Sequence, residues 1–313
     1  MKLAIIGATS QIARDLIIRL LTVQCHSLEL YSRKPEILKE WLIHKGYSER
    51  YTSNHIDTIF IDPQYDAILN FIGAGDPAKV RDLGSSIFKL TQYFDSKIID
   101  YLYSNPSCKY IFLSSGAVYG DIFSHAQESH TYSKFNINNL NDSDWYGLAK
   151  FQAEVTHRSL EKLNIVDVRV FGYFSENQDL ESKFILSEMY RAIRDDVVFI
   201  TGRNEMVRDY IHPDDFYQLV NRVLMSGLGN YAVDCYSREI ISKEKMICAM
   251  YHNFNMKFRY IDETTDFRVN KKNERTFYYS KNVKIGKDIN YNPIYSSEDS
   301  IVEEMHKIVG SIK

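Results

Sequence analysis

The sequence predicts an α/β protein with a doubly wound parallel sheet, and three observations carry that prediction. Short apolar runs of strand length alternate with longer amphipathic stretches through the first half of the chain. The first run, Leu3-Ala4-Ile5-Ile6, ends in Gly7 and passes directly into a helical pattern. Further on, Tyr146 and Lys150 stand four residues apart at the start of another helical run, so both side chains reach one place.

Length and composition bound what the chain can be. Its 313 residues, 44% hydrophobic and 25% charged, suit one large domain, or one domain with a smaller companion, around an ample core. A net charge of −3 argues against a nucleic-acid binder. No apolar run approaches the roughly 18 residues of a membrane span. The opening apolar run is also too short for a secretory leader. Cys25, Cys108, Cys235 and Cys248 are scattered without CxxC spacing, and the histidines show no metal-ligand pattern. Reduced thiols, a cytoplasmic location and no bound metal are therefore expected.

After Gly7 the pattern Ala8-Thr9-Ser10-Gln11-Ile12-Ala13 opens a helix with Ile12, Leu16, Ile17, Leu20 and Leu21 near one face. Strand, tight glycine turn and helix form the setting of a dinucleotide site, because the helix N-terminus turns its free N–H groups toward a pyrophosphate. Read as G-x-x-G-x-x-G, the motif keeps only Gly7, with Ser10 and Ala13 at the other two places. The second strand, from Leu28, ends in Ser32-Arg33-Lys34. An NAD-preferring fold carries an acidic residue here for the ribose 2′-hydroxyl. A guanidinium and an ammonium suit a 2′-phosphate instead, which places NADP(H) ahead of NAD(H).

Residues 57–61 and 67–72 read as the next two strands, the latter running into Gly73, where a small residue lets backbone approach a cofactor. A helix over residues 79–103 stops before Asn105-Pro106 and leads to a strand over 109–115. Residues 121–143 form a long polar loop, placed to rim a site. A strand follows over 166–171, then helices over 239–254 and 298–312.

Three segments, in this order, make the pattern specific: Ser114-Ser115-Gly116-Ala117-Val118-Tyr119-Gly120, Tyr146-Gly147-Leu148-Ala149-Lys150, and Val207-Arg208-Asp209-Tyr210-Ile211-His212-Pro213-Asp214-Asp215. Together they resemble the extended short-chain dehydrogenase/reductase superfamily, in particular its NAD(P)-dependent nucleotide-sugar epimerases, dehydratases and reductases. The likeness runs from the N-terminus to about residue 216. It implies a Rossmann-type cofactor domain over residues 1–174, with 196–235 contributing. Residues 175–195 and 236–313 would form a smaller α/β substrate domain. It also implies a homodimer through the two long helices.

The resemblance assigns roles. Ser115 matches the hydroxyl that hydrogen-bonds the reacting substrate oxygen, Tyr146 the proton donor or acceptor on that oxygen, and Lys150 the lysine that holds the nicotinamide ribose. The chemistry agrees: a phenol with a pKa of about 10 is a poor acid or base near neutrality unless a neighbouring cation stabilises the phenolate. The cofactor would lie against Gly7, Thr9, Ser10, Gln11 and Ile12, then Ser32, Arg33 and Lys34, then Phe71, Ile72 and Gly73, with Lys150 and Phe171. The substrate would meet Ser115, Gly116 and Tyr146. Arg208 either contacts a substrate phosphate or pairs with Asp209 or Asp215, and Arg275 is a second candidate for a phosphate.

One departure narrows the reaction. The 4,6-dehydratases carry an acid–base pair just after the serine, where this chain has Gly116 and Ala117, neither able to move a proton. Elimination of water is thereby disfavoured. A second departure bears on pyrophosphate binding: Gly172 stands where related enzymes often place an asparagine near a substrate phosphate. The expected activity is an NADPH-dependent reductase of a nucleotide-activated 4-keto-6-deoxysugar in polysaccharide biosynthesis. An epimerase that keeps its cofactor bound shares every motif quoted and stays open, as does a non-catalytic dinucleotide sensor on the same fold.

Overall fold

The computed structural model describes residues 1–60, 64–73, 80, 82–121, 123–142, 144–227, 229–261 and 276–310. Seven strands lie side by side, all parallel: β3 (Tyr51–His55), β2 (Ser27–Ser32), β1 (Lys2–Ile6), β4 (Ala67–Asn70), β5 (Lys109–Ser115), β6 (Ile165–Val170) and β9 (Tyr231–Asp234). The order reverses between β1 and β4, and an open α/β sheet receives its ligands at such a switch point. The doubly wound class is thus as expected.

Side chains of successive strand residues point to opposite faces, which explains why β1 is apolar at each of its buried positions, Leu3 to Ile6. Leu3 and Ile5 pack on one face with α1 (Gln11–Val23), α2 (Pro35–His44) and α6 (Pro213–Met225), through Leu16, Leu38 and Leu219. Ala4 and Ile6 pack on the other with α3 (Ser86–Ser104) and α4 (Asp144–Ser159), through Ile98 and Ala153. Each helix buries one stripe, so a break in the 3.6-residue pattern would expose it.

Several boundaries differ from the sequence expectation, each for a local reason. The third strand is Tyr51–His55, not residues 57–61. An edge strand needs no apolar run, and here Thr52 and His55 face solvent. The apolar Ile56 and Ile59 bury themselves at a 3₁₀ turn over Ile56–Thr58. The helix expected over residues 79–103 is interrupted: Val80, Asp82 and Leu83 are helical, Gly84 with φ +49° breaks the run, and α3 resumes at Ser86. The helix expected from residue 239 begins at Lys243, where the Ser242 hydroxyl accepts from the Lys245 N–H and caps it.

The rest of the chain builds small sheets. β7 (Phe199–Gly202) pairs with β11 (Phe258–Ile261), and β8 (Val207–Arg208) lies between β10 (Ile241–Ser242) and β12 (Phe277–Tyr278). A separate core fills this part, with Met189 of α5 (Ile185–Arg194), Met246 and Met250 of α7 (Lys243–Phe254) and Met305 of α9 (Ser297–Gly310). The short α8 (Lys284–Asp288) follows β12. β7 and β8 side with these sheets, whereas α6 and β9, from the same stretch of chain, complete the large one. Among the described residues no helix is long and apolar enough to cross a membrane. The four cysteines are free thiols, with Cys108 and Cys235 buried.

Two buried ionic groups tie α4 to the sheet. His157, fully buried, lies 2.9 Å from Asp95 of α3 and 2.6 Å from Asp167 of β6. Asp95 also accepts from the Tyr110 hydroxyl at 2.8 Å. One turn earlier, Glu154 receives Arg169 of β6 through both carboxylate oxygens, at 2.5–3.0 Å. Arg169 further donates to the Tyr119 hydroxyl and to Asp234 of β9.

Burial by itself disfavours charge on His157, but Asp167 and Asp95 outweigh it and raise its pKa to about 9. A histidine raised in the folded state stabilises fully below its unfolded value of about 6.5 and loses that contribution as pH climbs. Urea midpoints should therefore fall as pH rises from about 6.5 through about 9. In a His157→Gln variant that decline should disappear. An unchanged decline would remove His157 as its source.

Candidate active site

The carboxyl ends of β1, β2 and β4 meet at the glycine turn. Gly7 adopts φ +74°, and a Cβ there would lie 2.9 Å from the Phe71 carbonyl carbon and 3.0 Å from the Ile72 nitrogen. Only glycine lets the turn press this closely on the end of β4. The N–H groups of Gly7 and Ala8 donate to the Tyr31 carbonyl, and the Ser10 N–H donates back to Gly7. Ser10 then precedes α1 with extended backbone and no side-chain cap. Its Oγ is buried and has no hydrogen-bond partner among the described residues, and the same holds for Ser32 Oγ at the end of β2. Two orphaned hydroxyls beside an open helix N-terminus fit a phosphate-bearing dinucleotide, whose oxygens would satisfy them.

Arg33 and Lys34 are exposed just beyond Ser32, and Thr9 is exposed in the turn. Gln11 donates to Ser175 Oγ at 3.1 Å, joining α1 to the segment after β6. Ile12 packs on the core of the large sheet. Phe71 is buried with its N–H on the Ile6 carbonyl, and the Ile72 N–H is held by the Asn70 side chain.

A second group converges at the end of β5. Ser115 is the last residue of that strand, and its Oγ accepts from the Ala117 N–H at 3.2 Å, starting a 3₁₀ turn over Gly116–Tyr119. Helix α4 crosses this turn at Gly147, where a Cβ would stand 2.6 Å from the Ala117 carbonyl oxygen. Gly147 therefore lets the Tyr146–Lys150 stretch lie against the Ser115 turn. Lys150 is 3% exposed and donates through Nζ to the Leu113 carbonyl at 2.7 Å. Its ammonium lies over the rings of Phe112 (4.2 Å) and Tyr146 (6.0 Å). A Cβ on Gly73 would lie 3.5 Å from that Nζ, so the end of β4 meets Lys150. Burial lowers the Lys150 pKa to about 8, and Asp95, Asp167 and Glu154 pull against that shift from behind.

Gly116 and Phe171 explain one another. A Cβ at position 116 would lie 2.4–2.5 Å from the Phe171 ring. Phe171 is buried with Val118, Tyr119 and Phe123, and Tyr278 packs beside them. Gly172 likewise stands against the Asp209 carbonyl oxygen, 2.4 Å from where its Cβ would be. Among the described residues, Arg208 is not paired with Asp209 or Asp215. It donates to the Val207 and Thr276 carbonyls and lies 5.9 Å from the Tyr278 ring. Asp209 instead accepts from the Ser237 N–H and the Ser297 hydroxyl, and Asp215 from the N–H groups of Ile294 and Tyr295. Arg275 lies outside the described residues.

The structure thus gathers Ser115, Gly116, Tyr146, Lys150, Gly73 and Phe171 at one end of the sheet, with Gly7, Phe71 and Ile72 beside them. Sequence reasoning missed Tyr278, which comes from β12 to place its hydroxyl 3.2 Å from Ser115 Oγ. Nothing in the run Phe277-Tyr278-Tyr279 marks it out. Sequence reasoning also found no metal pattern, yet His212, Glu303 and Glu304 converge closely enough to hold an ion. His212 Nδ1 accepts from the Asp214 N–H as the cap of α6, and burial keeps the ring neutral. The proton is then on Nε2, which faces Glu303 and Glu304 at 3.4 and 3.6 Å and has no lone pair to give a metal.

Comparisons with known proteins agree with this geometry. The model of the NAD dependent epimerase/dehydratase family matches residues 3–232. Sequence comparison with curated proteins finds no match. Among solved structures, UDP-glucose 4-epimerase with UDP-glucose from Thermotoga maritima is 14% identical over 100% of both chains, with a TM-score of 0.81. UDP-N-acetylglucosamine 4-epimerase from Methanobrevibacter ruminantium, in complex with UDP-N-acetylmuramic acid, is 14% identical over 100% of this chain and 99% of that one, TM-score 0.80. UDP-glucuronic acid 4-epimerase from Bacillus cereus, in complex with UDP-glucuronic acid and NAD, is 16% identical over 100% of both chains, TM-score 0.75. At these identities the likeness establishes the fold.

The Gly116–Phe171 contact makes a specific demand. Gly116→Ala should destabilise the protein by about 1–3 kcal/mol, the range of an overpacked core. Gly116→Ala/Phe171→Leu should recover part of that loss. Denaturant midpoints read both, and a Gly116→Ala protein as stable as the parent would refute the clash.

Proposed function

Because the chain belongs to the NAD dependent epimerase/dehydratase family, we propose that it transfers hydride between a nicotinamide dinucleotide and the sugar of a nucleotide sugar. Its net reaction, in this reading, is reduction of a 4-keto-6-deoxysugar with NADPH in the cytoplasm. The observation that carries the redox chemistry is the buried Lys150 ammonium beside Tyr146, one helical turn from the glycine that seats α4 on the Ser115 turn. When bound, the reduced cofactor supplies the hydride that goes to the keto carbon. Tyr146 gives its proton to the carbonyl oxygen, and Lys150 stabilises the phenolate that remains. Ser115 donates a hydrogen bond to the same oxygen, in a site partly shielded from water.

The exposed Arg33 and Lys34 beyond buried Ser32 support NADP(H), since they offer a 2′-phosphate two cations and no competing carboxylate at that position. Arg208, on the middle strand of the three-stranded sheet, would meet a substrate phosphate. Residues 175–195 and 236–313 would receive the sugar. Dimerisation through α3 and α4 is supported by the exposed Tyr93, Phe151 and Val155 on those helices. A second reading, epimerisation with a retained cofactor, is favoured by the three solved structures described above, all of them epimerases. Loss of absorbance at the reduced-nicotinamide band with a nucleotide 4-keto-6-deoxysugar would establish the reductase. An inverted stereocentre without net oxidation would establish the epimerase.

Two substitutions test the assigned roles. Tyr146→Phe should lower turnover by about two to four orders of magnitude while cofactor affinity barely moves. In the parent, kcat/KM should fall as pH rises past about 8, where Lys150 loses its proton. Arg33→Ala should weaken NADPH binding by about tenfold and leave NADH nearly unchanged. Equal losses for the two cofactors would sink the NADP assignment.

A further inference from the structure

We propose that Tyr278 is a positioning residue for Ser115, donating its phenolic proton so that the serine hydroxyl is committed to donate onward to the substrate oxygen. The inference rests on the hydride-transfer reading above and adds a member to that site from the far end of the chain. A serine hydroxyl has one proton and two lone pairs. At Ser115 the Ala117 N–H occupies one lone pair, at 3.2 Å. The Tyr278 hydroxyl lies at the same distance, 3.2 Å, and either oxygen can be the donor.

The two directions have different consequences. If Ser115 donates to Tyr278, its only proton is spent and it faces the substrate as an acceptor. An oxygen gaining negative charge during hydride transfer needs donors, so that direction opposes the reaction. If Tyr278 donates, both lone pairs of Ser115 are filled and its proton is left for the substrate. A donor on Ser115 Oγ also polarises the outgoing O–H. Ser115 and Tyr146 then present two O–H groups to one oxygen.

Tyr278 is held in place by its strand pairing, its ring contacts and its neighbours' hydrogen bonds. β12 pairs with β8 so that Tyr278 stands opposite Arg208. The ring packs against Phe123 (4.5 Å between centroids) and Phe171 (5.5 Å). The Phe277 N–H donates to the Phe123 carbonyl at 2.8 Å, and the Gln127 N–H to the Tyr279 carbonyl at 3.0 Å. Two residues on, Ser280 Oγ donates to Asp234 at 2.6 Å, within the carboxylate group that also receives Arg169. The strand is fixed before, at and after the phenol.

The test is a double-substitution cycle on the full chain with bound cofactor, measured on a nucleotide sugar that the parent turns over. Tyr278→Phe should lower kcat about tenfold, leave the sugar KM within about threefold and leave cofactor affinity unchanged. Ser115→Ala/Tyr278→Phe should be no slower than Ser115→Ala, because Tyr278 acts only through the serine. Multiplied losses would overturn the proposal, and so would a Tyr278→Phe enzyme faster than its parent, which would mean that the phenol blocks the substrate's place. A parent inactive on every nucleotide sugar would remove the hydride-transfer reading. The pairing is then read from unfolding midpoints of the same proteins, where Tyr278→Phe should cost less in the Ser115→Ala background. Equal shifts in both backgrounds would overturn it.

Discussion

Arg169 ties together the helix, the turn and the strands that carry the candidate site. Burial works against a charge there, but Glu154 and Asp234 outweigh it and keep the guanidinium protonated. Glu154 belongs to the helix that carries Tyr146 and Lys150, Asp234 to the last strand of the large sheet, and Tyr119 to the turn that starts at Ser115. Ser114 donates to Glu154 from the neighbouring position on β5, and Ser280 donates to Asp234 from the segment that carries Tyr278. Removing one partner from such a group strands the others, at a cost of about 3–5 kcal/mol. One buried cation thus sets the mutual placement of the helix, the strand end and the C-terminal strand from which the candidate site is assembled.

A second layer of charge lies behind the lysine. Burial disfavours a proton on Lys150, whereas Asp95, Asp167 and Glu154 favour it. None of these carboxylates appears as a hydrogen-bond partner of the ammonium, which rests on the Leu113 carbonyl. A direct ion pair would tie Nζ to its partner. A field from carboxylates already held by His157 and Arg169 maintains the charge and leaves Nζ donors for a ligand.

Much of this was legible in the sequence, and the reasons for the rest are physical. The β1–Gly7–α1 unit was readable because a fully buried parallel strand is apolar throughout and a tight turn selects glycine. That Ser115, Tyr146 and Lys150 lie near one another was readable because residues four apart share a helix face and the motif sets the helix after the strand end. The edge strand Tyr51–His55 was not, since polar residues suffice where one side faces water, and the apolar residues after it belonged to a turn. Gly147 was quoted as part of a motif, but its reason, close approach to the Ala117 carbonyl, appears only in three dimensions. Tyr278 and the Arg169 group depend on pairings across more than a hundred and across dozens of residues respectively, and no local pattern encodes them.

The closed contact between Gly116 and Phe171 bears on how this chain can diverge. A carboxylate at position 116, where the resemblance would put part of a dehydratase's acid–base pair, has no room while the Phe171 ring is there. Trimming Phe171 first would open a hole among Val118, Tyr119, Phe123 and Tyr278 and lower stability before any new activity existed. Placing the carboxylate first would drive a charge into an aromatic cluster. Either single step passes through a weakened protein. Side-chain volume, and not only the absence of an acid, thereby keeps a carboxylate out of position 116.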